Sequence, residues 1–209
     1  MGSGCGAGYR AGPRLAGGSI RKWWGVGALT FPVEQGHPLK PFPRRFYHRP
    51  GDLFGDLREM WRGRRKVRAV TKGEALDPAF RERLMLAVTE VNGCRYCRHA
   101  HARLALTAGL SEADVAELVT GSFDGSPPEQ VPALLYAQHW AEADARPDPG
   151  ARRRILETYG PVQTEAIETA LRVIRVGNLA GNTWDCLLHR VSFGRWGSAR
   201  PKAPASGQG

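Results

Sequence analysis

From Asp52 onward, apolar residues recur at three- and four-residue steps, the period of helices that bury one face. Leu53, Leu57, Met60 and Trp61 mark a first helix capped by Asp52 and closing near the basic run Gly63-Arg64-Arg65-Lys66. Asp77 and Pro78 open a second, whose positions Phe80, Leu84, Leu86, Ala87, Val88 and Val91 run to a stop at Asn92-Gly93. A third begins near Cys94 and ends at Gly109. Ser111 with Asp114 begins a short fourth through Leu118. Leu134, Leu135, Gln138, His139 and Ala141 lie on the next, which Pro147-Asp148-Pro149 breaks. Arg152 to Tyr159 forms a short helix, and Pro161 opens a long last one striped by Val162, Ala166, Ala170, Val173, Ile174, Leu179 and Leu187. No run of useful length has the strand period, and nothing repeats at a solenoid period. The expected fold class is all-α, with about six or seven helices.

The flanks differ. Residues 1–50 are rich in Gly and Pro, which discourage regular structure, and are expected to form a flexible basic extension. Trp23, Trp24, Phe42, Phe46 and Tyr47 within it are suited to packing on the domain or on a neighbouring subunit. The division is therefore 1–50 extension, 51–195 helical domain and 196–209 disordered tail.

Charge follows the same division. Of the 209 residues, the first 73 hold fifteen Lys/Arg against four Asp/Glu, and the remainder is nearly neutral. No nucleic-acid-binding module accompanies this charge, so a solvated extension is expected rather than a nucleic-acid arm. No stretch reaches the roughly 18 apolar residues of a membrane helix, and no secretory h-region opens the chain. A cytoplasmic protein with reduced thiols is expected.

Four cysteines are present, and two of them, Cys94 and Cys97, are spaced as a Cys-x-x-Cys pair. Asn92-Gly93 ends one helix, so Cys94 opens the next, where amide N–H groups and the helix dipole favour a thiolate. Cys97 lies one turn on and His101 four residues further, placing an imidazole on the same face to relay a thiol proton. Glu82 and Glu90 on the preceding helix are the carboxylates that could orient it. Arg95 and Arg98 add positive charge.

Competing readings are weaker. For zinc, Cys94, Cys97, His101 and His99 offer ligands, but His99 points to another face and no second pair has finger spacing. Haem attachment needs His directly after Cys97, where Arg98 stands. Glu90 reads as a solvated or capping residue and His99 as a surface one. His139 reads as a satisfied core histidine, Cys186 as a small core residue, and Arg62, Arg64, Arg65, Lys66 and Arg68 as a solvated face. Cys5 has no evident role. Asn178, Asn182 and Trp184 interrupt the last apolar stripe, as pocket lining or as a subunit contact.

The run Glu82…Val91-Asn92-Gly93-Cys94-x-x-Cys97-x-x-x-His101 resembles the alkyl hydroperoxidase D-like branch of the carboxymuconolactone decarboxylase family, closely over residues 77–122. The resemblance implies an all-α bundle that assembles into trimers or larger rings, without cofactor or metal. It implies that Cys97 is oxidised by peroxide to a sulfenic acid, that Cys94 supplies the proton and then closes a disulfide, and that His101 and Glu82 form the relay. Electrons would come from an external dithiol reductant, a small redox protein or a lipoyl carrier, since no nucleotide fingerprint is present. Tyr96 stands where studied peroxidases of this branch often carry His between the cysteines. The other readings are a carboxymuconolactone-type decarboxylase and a non-enzymatic thiol redox-sensing module.

Overall fold

The computed structural model describes residue 42 and residues 44–197. Cys5, Trp23, Trp24, most of the 1–50 segment and residues 198–209 lie outside the described residues. Those described fold into seven α-helices, with no strand among them. They are α1 (Pro50–Arg62), α2 (Arg64–Thr71), α3 (Pro78–Asn92), α4 (Arg95–Thr107), α5 (Glu112–Leu118), α6 (Val131–Glu142) and α7 (Pro149–Val191).

Local chemistry sets most of these boundaries. Asp77 caps α3 by accepting the Phe80 N–H at 2.9 Å, and Gly93 ends it in the left-handed conformation at φ 68° that glycine adopts without strain. Ser111 and Asp114 complete a reciprocal capping box on α5. Asp148 caps α7 through the N–H groups of Gly150 and Ala151. The break expected before Pro161 is a kink at Gly160 (φ 70°, ψ 172°), where two helical segments meet end to end.

Two details differ from the sequence reading. Asp52 lies in the first turn of α1, and Arg49 holds the cap position, because Pro50 is pre-set for the first helical residue. The first helix does end at Gly63 as expected, but the basic run after it builds a further helix, α2, which buries Val70 while Lys66 pairs with Glu165.

Helix α3 is the central element, packed on α4, α6 and α7. Leu84, Leu86, Ala87 and Val88 of α3, Leu134, Tyr136 and Ala137 of α6, and Ile167, Ala170 and Leu171 of α7 are almost wholly buried. Burying side chains of this size contributes roughly 1.5–3 kcal/mol each for the larger ones. Helix α1, by contrast, buries no residue.

The stretch before α1 lies along this body. Tyr47 is buried, its N–H reaching Thr183 Oγ1 at 3.0 Å and its hydroxyl donating to Asp56 at 2.6 Å. Phe42 packs against the His189 ring, 5.9 Å between centroids.

Candidate active site

Gly93 turns the chain out of α3 and leaves Cys94 as the N-cap of α4. The Cys94 sulfur therefore accepts the backbone N–H of Cys97 at 3.3 Å, in place of the hydroxyl or carboxylate usual at such a position. The Cys97 sulfur stands 2.6 Å from it, and both are free thiols. Cys94 is wholly buried, whereas Cys97 is partly open to solvent.

The two thiols are electrostatically unlike. The Cys97 S–H bond, then the amides of Cys97 and Tyr96 and the charge of Arg44, outweigh burial and bring the Cys94 pKa down to about 7. Cys97 is pushed up, because its proton is held by Cys94, its site is desolvated and a second charge beside the first is repelled. At neutral pH the pair is poised near a monoanion with the charge on Cys94 and the shared proton on Cys97.

One turn after Cys97, Nδ1 of His101 lies 2.7 Å from Oε2 of Glu82. Glu82 is almost fully buried on α3, and its other oxygen takes the guanidinium of Arg81 at 2.9 Å. Arg81 is itself fixed by the carbonyls of Val70 and Thr71 at the end of α2. A buried carboxylate is tolerable only when paired in this way. Glu82 thus fixes the ring so that Nε2 is the nitrogen left to exchange protons. The structure brings Cys94 to Cys97 and His101 to Glu82, the second pair one helical turn along α4 from Cys97.

Glu90 is neither solvated nor a cap. It pairs with Arg98 at 2.6 Å, and its half-burial raises its pKa. His99 is exposed and Cys186 buried. His139 accepts the Asp148 N–H at 3.1 Å within the core.

Four residues of the site were not found by sequence reasoning. Gly177 and Gly181 of α7 face the thiols, and a Cβ at Gly181 would stand 2.9 Å from Cys94 Sγ. Their four-residue spacing on the last helix was the available signal. Asp185, one turn later and fully buried, accepts the Tyr96 hydroxyl at 2.8 Å and forms ion pairs with Arg95 and Arg44, both at 2.7 Å. It thereby grips both residues between the cysteines. An acid on an apolar stripe was its signal, and Arg44 gave none.

Asn178 and Asn182 support the site from behind. Thr89 Oγ1 donates to Asn178 at 3.2 Å, and Asn182 donates to the carbonyls of Asn92 and Arg45 at 2.7 and 2.8 Å. Trp184 is exposed. A cavity of about 790 Å³ between α1, α2, α6 and α7 is lined by none of the four expected site residues. Among the described residues, no three His, Cys, Asp or Glu side chains converge to hold a metal ion, and no helix is long and apolar enough to cross a membrane.

No curated protein and no solved structure matches the chain significantly. Residues 57–143 match the family model described as carboxymuconolactone decarboxylase family. That span includes α3, α4 and all four residues of the thiol site, and over it the chain is similar to the carboxymuconolactone decarboxylase family.

Proposed function

We propose that the protein is a two-cysteine peroxidase of the alkyl hydroperoxidase D-like kind, reducing hydrogen peroxide or alkyl hydroperoxides. The observation that carries this reading is the poised pair: a buried Cys94 of lowered pKa, 2.6 Å from a partly accessible Cys97.

Accessibility gives Cys97 the first role. Cys94 takes the shared proton, and the Cys97 sulfur attacks the outer oxygen of ROOH. The O–O bond breaks, leaving a sulfenic acid on Cys97 and an alkoxide that takes the proton from Cys94. The regenerated Cys94 thiolate then attacks the Cys97 sulfur and displaces hydroxide, which His101, held by Glu82, protonates to water. One dithiol monoanion, one peroxide and one proton give a disulfide, an alcohol and water. The disulfide is reopened by an external dithiol, a small redox protein or a lipoyl carrier.

Self-assembly fits the same reading. Phe54 and Trp61 of α1 are about 70 % exposed, with Leu57 between them on the same face. Trimers or larger rings would cover that stripe.

The test is turnover of hydrogen peroxide and cumene hydroperoxide with dithiothreitol as reductant. Wild-type activity lost in both Cys97→Ser and Cys94→Ser supports the reading. Conversion of carboxymuconolactone that persists in the double variant would replace it with the decarboxylase.

A further inference from the structure

We propose that Arg44, outside the family segment, is a positioning residue of the dithiol site, locking the turn that carries Cys94 onto α7. The residue is contributed by the chain ahead of α1, thirteen positions before the family match begins at residue 57.

The geometry is that of a clamp. One arm of the guanidinium donates to the Gly93 carbonyl at 3.2 Å, immediately before Cys94, and to Asn182 Oδ1 at 3.4 Å. The other donates to Asp185 Oδ2 at 2.7 Å and to the Gly197 carbonyl at 2.5 Å. The Arg44 side chain is nine-tenths buried and Asp185 completely so, which makes the pair far less screened than a surface one. Asp185 passes the constraint to Arg95 and Tyr96, so the two anchored ends of the Cys94 turn are joined through a single arginine. The planar fork suits this task, since it meets carbonyl and carboxylate acceptors at once.

The charges around Cys94 have a definite balance. The Cys97 thiol meets Cys94 from α4 and the charge of Arg44 acts on it from the preceding chain, while Asp185 of α7 pairs with both Arg44 and Arg95. Along α4, Arg98 is neutralised by Glu90 of α3, and His101 is held by Glu82. Arg44 is thus the cation whose charge lowers Cys94, and it also grips the Gly93 carbonyl.

The proposal rests on Cys94 being the resting thiolate of the proposed peroxidase, but its readouts need no peroxide. The first ionisation of the thiol pair is followed against pH by thiolate ultraviolet absorbance, and disulfide closure is timed with oxidised dithiothreitol. In Arg44→Gln the ionisation midpoint should rise by about half a pH unit, and closure should slow several-fold. Arg44→Lys keeps the charge but not the fork, so its midpoint should stay near wild type while closure remains slow. A folded Arg44→Gln with both wild-type midpoint and wild-type closure would overturn the proposal. If Arg44→Gln does not fold, Arg44→Lys decides, and a wild-type closure rate there overturns it. Absent peroxide turnover in the wild type would count against the peroxidase while leaving these readouts intact.

Discussion

Oε2 of Glu82 lies 2.7 Å from Nδ1 of His101, joining a buried carboxylate of α3 to an imidazole one turn beyond Cys97. The pair ties up Nδ1 and leaves Nε2 free of Glu82, while Arg81 takes the other carboxylate oxygen.

Replacing that carboxylate separates its two roles. Glu82→Gln keeps the shape but replaces the carboxylate that holds His101 Nδ1 and pairs with Arg81. Peroxide turnover should fall on the order of 100-fold, the usual size of a lost acid–base contribution. Glu82→Ala should in addition cost about 3 kcal/mol in urea unfolding, because Arg81 would stay buried without its partner.

The pH profile of the thiols follows from their asymmetry. Cys94 has its pKa lowered to about 7, so thiolate ultraviolet absorbance should rise through pH 7 and level off above it. In Cys97→Ala the midpoint should move up, since the first of its stabilising bonds is gone. The linked stability has a definite sign. A folded-state pKa below the unfolded value, roughly 8.5, stabilises the native state above that value, and the gain is lost as pH falls through about 7. Thermal melts between pH 6 and 9 of wild type and Cys94→Ala should differ in this direction.

The two glycines of α7 should respond oppositely to alanine. At Gly181 a Cβ would press on Cys94 Sγ at 2.9 Å, displacing the sulfur, so disulfide closure should slow 10- to 100-fold by roughly the cost of a misplaced reacting group. At Gly177 a Cβ would meet Cys97 Sγ at 4.0 Å, an ordinary contact. Gly177→Ala should close normally and gain about 0.5–1 kcal/mol of stability from helix propensity, read by urea unfolding.

The exposed stripe of α1 gives a test of assembly. Phe54, Leu57 and Trp61 share one face and are uncovered in the single chain. Trp61→Glu should lower the mass measured by light scattering toward that of the monomer, without loss of helical circular dichroism.

Much of the fold was legible because its signals are local. The Asp77-Pro78 start, the Asn92-Gly93 stop and the Ser111–Asp114 box are each written within a few residues. The thiols and His101 were legible for the same reason, being one helix's spacing. Tertiary partners were not. Asp185 acquires its role from Arg44, 141 positions away, and from Arg95, 90 away. Gly181 looks like any helical glycine until α4 is laid against it. Arg44 sat among prolines and glycines that argued against fixed structure, yet four acceptors hold it. Glu90 reads as solvated or capping in the sequence because its partner Arg98, eight residues on, belongs to another helix.

A single-turnover experiment bears most directly on the central claim. The reduced protein is mixed with one equivalent of cumene hydroperoxide, free thiols are counted, and the alcohol and the linked peptides are identified. Two thiols should be lost for each alcohol formed, with Cys94 joined to Cys97 within one chain and Cys186 still free. Thiols that remain at their starting number while the peroxide is untouched would contradict it.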